Sequence, residues 1–341
     1  MNPTVKQIAD ALGYAKSTVS MALRDNPTVN EKTRRKIQQA AKEMNYQPNA
    51  LAQAIFTGKA KVIGFATQSV ASEYLSMFMD GLSLQADAMG YMIKIIRTKW
   101  QFDAKALASQ CQAQCLSGLI CAESHEQSMR ELATITSQLN LPVSHLGGPP
   151  ELPGLISIRC EDQTGITQAI EHLHQLGHRN IGYIGGNPHS ISTHVREAAF
   201  RQAMKKLGLK VLAKNMACGA YEIQPTIDAT HKLLSNKNRP TALFCANDHM
   251  AMTAIRAARA MGINTPCDLS VIGCSNLNMA EFCDPPLTSI AQPQSEMGKL
   301  AVKRIVNVVQ SLEQNRSVAV GNEPSLPTRL VIRESTGPVA G

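Results

Sequence analysis

Four polar side chains stand close together near the start of the chain: Lys16, Ser17, Thr18 and Ser20. An ammonium donates to guanine O6 or N7 in a DNA major groove, and a hydroxyl serves several base edges, so this group could read a duplex if a helix presented it. Thr4-Val5-Lys6-Gln7 has capping-box spacing, in which the Thr hydroxyl takes an orphan backbone N–H and the Gln side chain reaches back to the cap. Val5, Ile8, Ala9 and Leu12 then share one helical face, and Gly13 supplies the backbone freedom that ends the helix. A second helix follows at once. Its apolar face of Val19, Ala22 and Leu23 packs on the first, leaving the polar group and Met21 outward or at the margins. Two short helices around a tight turn form a helix-turn-helix, with an ordinary helical hairpin as the alternative.

Charge supports the first reading. The net charge is +8, and residues 1–60 hold nine Lys or Arg against four acids. A basic module suits a polyanion, because each cation at a phosphate releases a counterion; a solvated helix surface is the plainer explanation for Arg34, Arg35 and Lys36. Asn30 can cap a third helix from about Glu31 to Met44, with Ile37, Ala40, Ala41 and Met44 inward. Asn45 to Asn49 breaks it. The apolar run from Ala50 to Phe56 is a candidate hinge, too short to be stably helical in isolation.

From Lys61 apolar strands alternate with longer helical periods, which predicts parallel sheets covered by helices. One lobe is expected from strands at Val62–Thr67, Met92–Ile96, Gly118–Cys121 and Val143–His145. A second lobe is expected to open with Leu155–Ile158 and to continue through Ile181–Ile184, Ala242–Cys245 and Ser270–Cys274. A late helix near Glu296–Leu312 suggests that the chain crosses back, before Pro327–Ile332 ends it as a strand. The nine cysteines show no C-x-x-C spacing, and several, such as Cys121, Cys245 and Cys274, read as small buried hydrophobes in a reducing cytoplasm. No signal peptide opens the sequence and no apolar run is long enough to span a bilayer, so a cytoplasmic location without membrane association is expected.

The stretches TVKQIADALGYAKSTVSMAL, VNEKTRRKIQQAAKEMNYQPNALAQAI, EHLHQLGHRNIGYIGG, FCANDHMAMTAIRAARAMGI, DLSVIGCSN, PPLTSIAQP and LVIRES occur in this order. Together they resemble the lac/gal repressor family of bacterial transcription regulators over essentially the whole chain. The resemblance implies an α/β core of two Rossmann-like parallel-sheet lobes joined by three crossovers, like a periplasmic binding protein, preceded by a small all-α helix-turn-helix domain. It divides the chain into a headpiece at 1–48, a hinge and linker at 49–60, and a core at 61–341. The first lobe is placed at about 61–154 plus 292–323 and the second at about 155–291 plus 324–335.

By the same resemblance, DNA contacts fall to Thr4, Lys16, Ser17, Thr18, Ser20, Asn30, Tyr46, Asn49, Ala52 and Ile55, with Ile55 replacing the family's usual Leu wedge in the minor groove. Ala15 and Met21 stand where the family commonly has Ser and Arg. The effector is expected between the lobes, beyond the carboxyl ends of the strands. The residues implied for it are Gln68, Tyr74, Gly147, Arg196, Tyr221, Asn247, Asp248, Ser275 and Asn276. Asp248 would double as the cap of the helix from His249. Gly147 and Ser275 replace acids that grip sugar diols in many members, leaving a sugar, a sugar derivative or a nucleobase-like ligand open. A homodimer on double-stranded operator DNA is implied, without cofactor or metal. The alternative is a cytoplasmic solute-binding or sensing protein with a non-functional headpiece. An enzyme is disfavoured, since P-loop, GxGxxG, Ser-elbow and metal patterns are lacking and His125, His145, His189, His194 and His249 are scattered.

Overall fold

A computed structural model describes residues 3–23, 25–46, 60–69, 71–122, 125–147, 152–314, 316 and 325–339. The chain forms two compact units, Met1–Ala60 and Lys61–Gly341. Among its described residues the first holds three helices, α1 (Val5–Leu12), α2 (Lys16–Leu23) and α3 (Glu31–Glu43). Ile8, Ala9, Val19, Ala22, Val29, Ile37 and Ala41 form its small core.

Among its described residues the second unit holds two sheets. Strands β1 (Val62–Thr67), β2 (Met92–Arg97), β3 (Gly118–Ala122), β4 (Val143–Leu146) and β5 (Leu155–Ile158) make the first, in the order β2-β1-β3-β4-β5. All its pairs are parallel. Helix α4 (Glu73–Ala88) covers one face, while α5 (Ala104–Ala113) and α6 (Glu126–Gln138) belong to a separate apolar cluster with the alternate strand residues. The second sheet has the order β11-β10-β9-β8-β6-β7, from β6 (Ile181–Gly185), β7 (Met216–Cys218), β8 (Ala242–Cys245), β9 (Ser270–Ser275), β10 (Thr288–Ala291) and β11 (Arg329–Val331). Only the β10–β11 pair is antiparallel. Its helices are α7 (Asp162–Gln175), α8 (Ile191–Lys206), α9 (Ile223–Leu234), α10 (Asp248–Ala260) and the short α11 (Met279–Phe282).

Helix α12 (Gln294–Glu313) returns to the first lobe, where Met297, Ala301, Val302 and Ile305 join the β1–β3 core. Gly81 and Gly298 let α4 and α12 approach closely: a Cβ on Gly81 would overlap the Ser295 carbonyl, and one on Gly298 would lie 2.6 Å from the Phe78 carbonyl oxygen.

Two features differ from expectation. Leu155–Ile158 does not open the second lobe but closes the edge of the first sheet, pairing with β4 from Val143↔Leu155 to Leu146↔Ile158. A four-residue strand, apolar but for Ser157, carries no mark of which sheet it joins. Strands β7 and β10 were not anticipated: one has three residues, the other four residues bounded closely by prolines. Arg196, implied for the effector, lies inside α8.

Three passes of the chain connect the lobes, and they are tied together. Glu161 N–H donates to the Leu326 carbonyl and Leu326 N–H to the Arg159 carbonyl, both at 2.8 Å, so the first and third passes pair as a short parallel bridge. Gln292, on the second pass, donates through Nε2 to Asp162 Oδ1 at 2.7 Å.

Candidate functional site

In the helical unit the capping box forms as expected. Gln7 N–H donates to Thr4 Oγ1 at 3.3 Å and Thr4 N–H to Gln7 Oε1 at 2.7 Å. Gly13 ends α1 at φ 71°, a left-handed conformation that a side chain disfavours. Lys16 and Ser17 are exposed on the first turn of α2, Thr18 and Ser20 are half-buried, and Val19 and Ala22 face inward. Met21 turns partly into the core, where its sulfur accepts a long contact from the Thr28 hydroxyl at 3.9 Å. Asn30 Oδ1 accepts from Lys32 N–H at 2.9 Å and caps α3. Tyr46 packs half-buried against the core, its N–H donating to the Ala41 carbonyl. Thr4 and Asn30 thus use their side-chain oxygens as caps. Asn49, Ala52 and Ile55 lie outside the described residues.

In the core the implied effector residues stand at the carboxyl ends of both sheets. Gln68 follows β1, and Tyr74 lies in the first turn of α4 with its ring edge-on to Phe78 at 5.1 Å. Gly147 follows β4 at φ 74°, exposed, with open space where a side chain would be. Arg196 is buried; its Nε donates to Asp162 Oδ2 at 3.3 Å and its Nη1 to the Ala246 carbonyl at 2.6 Å. Arg196, Asp162 and Gln292 therefore link α8, the end of β8 and two of the interlobe passes. Tyr221, at φ 63°, shares hydrogen bonds through its hydroxyl with Thr193 Oγ1 at 3.1 Å and Ser192 Oγ at 3.3 Å.

Asn247 and Asp248 exchange the expected roles. Asn247 is the cap, its Oδ1 accepting from Met250 N–H at 2.8 Å. Asp248 is fully buried in the first turn of α10, and its two oxygens accept from Leu277 N–H at 2.7 Å and from the Ser289 hydroxyl at 2.5 Å. Burial pushes its carboxyl up to about 6, while the Ser289 and Leu277 hydrogen bonds pull the other way. This carboxylate braces the loop after β9. That loop holds Ser275 and Asn276 at positive φ, and Asn276 Oδ1 accepts from Arg333 Nη2 at 2.9 Å.

Sequence reasoning missed Asp162 and Gln292, whose partners are far away in the chain. It also missed a ring cluster. Trp100 lies edge-on to His125 at 6.4 Å, and His125, at the start of α6, lies 6.2 Å from His189 of the second lobe. Trp100 Nε1 and His125 Nδ1 are buried without a hydrogen-bond partner. The lobes also touch where Asn278 N–H donates to Glu73 Oε1 at 2.7 Å. Among the described residues no group of acids, histidines and cysteines could hold a metal.

A helix-turn-helix unit followed by a two-lobed core, with polar groups converging between the lobes, defines a DNA-binding regulator with an effector-binding core. Comparison with known proteins agrees. Residues 4–49 match the model of bacterial regulatory proteins of the lacI family, and residues 170–336 match a periplasmic binding protein-like domain. The chain is 31% identical to the HTH-type transcriptional regulator DegA of Bacillus subtilis (strain 168), covering 99% of each. It is 29% identical to the HTH-type transcriptional repressor CytR of Escherichia coli (strain K12), over 98% of this chain and 96% of CytR. Among solved structures, the lac repressor dimer bound to operator and the anti-inducer ONPF superposes with a TM-score of 0.80 at 28% identity, covering 99% of this chain and 100% of that one. The chain belongs to the lacI family of bacterial regulatory proteins. It is a transcription regulator and not an enzyme, and no helix among the described residues is long and apolar enough to cross a membrane.

Proposed function

We propose that this protein is a cytoplasmic repressor that binds operator DNA as a homodimer and changes its operator affinity when a small molecule enters the cleft between the lobes. The carrying observation is the pairing of exposed Lys16 and Ser17 on α2 with a core in which Asp162 and Gln292 tie two of the interlobe passes and Arg196 is held on Asp162. Lys16 and Ser17 read base edges, and Thr18 and Ser20 hold the backbone or base edges. Thr4 and Asn30 cap helices whose N-termini face phosphate, Tyr46 supports that surface, and Asn49, Ala52 and Ile55 enter the minor groove. A ligand that fits one lobe arrangement better than another shifts the spacing of the two headpieces.

Gln68, Tyr74, Gly147, Arg196, Tyr221, Asn247, Ser275 and Asn276 surround the effector, with Asp248 acting behind them on the Ser275–Asn276 loop. The Trp100–His125–His189 cluster offers ring faces and two unpartnered ring nitrogens, while Gly147 and Ser275 offer no carboxylate. Those features favour a flat nucleobase-like ligand or a sugar derivative over a plain monosaccharide. Exposed Leu84, Met92 and Ile95 in the first lobe and Met279 and Phe282 in the second support pairing of the core. Fluorescence anisotropy on genomic duplexes, with and without nucleosides and sugar derivatives, tests the reading. Absence of preference over random duplex under every condition refutes it.

A further inference from the structure

The β6–β7 edge of the second lobe carries a hollow of about 310 Å³ whose lining includes none of the residues proposed for the effector. Its lining includes Tyr183, 1% exposed, whose hydroxyl is buried with no hydrogen-bond partner. Around it are His194 and Glu197 from α8, Cys218 from β7 and Lys232 from the last turn of α9. A neighbouring hollow of about 400 Å³ continues past Cys218 and Lys232 to Asp228.

The charges decide what could enter. Glu197 is engaged by Arg201 at 2.7 Å, and Asp228 accepts from Gln224 Nε2 at 2.9 Å. Lys232 has no ion-pair partner among the described residues. The phenol is held protonated by burial first, with Tyr221 and Glu197 adding to the effect and Arg196 opposing it. An unpartnered buried O–H and a free ammonium on one hollow make a donor set for an anion. We propose that this hollow is a second ligand site, distinct from the interlobe cleft, that takes a small organic anion. Its charged group meets Lys232, and an oxygen accepts from the Tyr183 hydroxyl. The site lies on the helix that carries Arg196: Glu197 and His194 line the hollow, while Arg196 reaches the interlobe network. Tyr221 presses on Gly186 and bonds Thr193, two residues that also line it. Coupling to the effector rests on the regulator reading above; binding in the hollow does not.

The full-length protein supplies its own reporter. Cys218 and Cys267 are exposed thiols, and only Cys218 lines the hollow. Alkylation of each by iodoacetamide is followed by peptide mass spectrometry with lactate, inorganic phosphate or uncharged lactamide. Lactate or phosphate is expected to slow Cys218 and leave Cys267 unchanged, with lactamide inert. Lys232→Ala, a surface change, is expected to weaken the protection about five- to tenfold, and Tyr183→Phe similarly, the worth of one hydrogen bond. No protection by either anion, equal protection by lactamide, or protection that survives Lys232→Ala overturns the site. None of these readouts involves operator or cleft ligand, so failure here is separate from failure of the regulator reading.

Discussion

Acid stability provides a test in which two buried groups oppose each other. His145 lies on β4, 2% exposed, with both ring nitrogens unpartnered, and burial lowers it from 6.5 to about 4. As pH falls from 6.5 to 4 the unfolded chain binds a proton that the folded chain refuses, so stability is lost. That difference is worth about 3 kcal/mol by pH 4. Asp248 does the reverse. Its carboxyl, raised from 3.8 to about 6, binds a proton in the folded chain before the unfolded one, so stability is gained as pH falls from 6 to 3.8, again by about 3 kcal/mol. His172 and His178, both lowered first by burial, add acid sensitivity in every variant and drop out of a comparison between variants. The test compares melting temperatures at pH 7 and pH 4.5 for the parent, His145→Leu and Asp248→Asn. His145→Leu should gain roughly 5–10 °C relative to the parent on acidification, and Asp248→Asn should lose a comparable amount. Unchanged pH dependence in His145→Leu would refute the assignment of a neutral, unsolvated imidazole.

Other outcomes follow from the same geometry. Lys16→Ala should cost about 1–3 kcal/mol of discrimination between operator and mismatched duplex, read by anisotropy competition; unaltered base preference would remove Lys16 from the reading set. Asp162→Ala leaves the Arg196 guanidinium buried with only the Ala246 carbonyl, and should lower stability by about 3–5 kcal/mol, measured by urea unfolding. Phe282→Asp, at a side chain 75% exposed, should leave the melting temperature nearly unchanged while weakening the dimer in sedimentation velocity. Gly81→Ala should destabilise the first lobe, because the added methyl overlaps the Ser295 carbonyl where α4 meets α12.

Local signals were readable. The Thr4–Gln7 box, the Gly13 turn, the Asn30 cap and the inward faces of α1–α3 depend on neighbours within a few residues, and the structure reproduces them except at Ala40, which is half-buried outside the small core. Most strands of the core were legible because apolar runs between helical periods have few alternatives. Met21 was less so: its length lets it reach the small core from a marginal position. Asp248 and Asn247 are adjacent, and either could cap α10; the choice fell to Asn247 because Asp248 found Ser289 and Leu277, which approach only after β9 and β10 pair.

By itself the sequence determined a basic helix-turn-helix at the front and an α/β core behind it. Those follow from periodicity, capping chemistry and charge, all short in range. Tertiary structure alone decided that Leu155–Ile158 completes the first sheet and that Arg196 is clasped by Asp162 beside Gln292. It also decided that His125, edge-on to Trp100, meets His189 across the lobes. The physical reason is common to all three: parallel pairing, buried ion pairs and ring contacts join residues from a dozen to more than a hundred positions apart, and hydrophobic burial is indifferent to order along the chain until the sheets have formed.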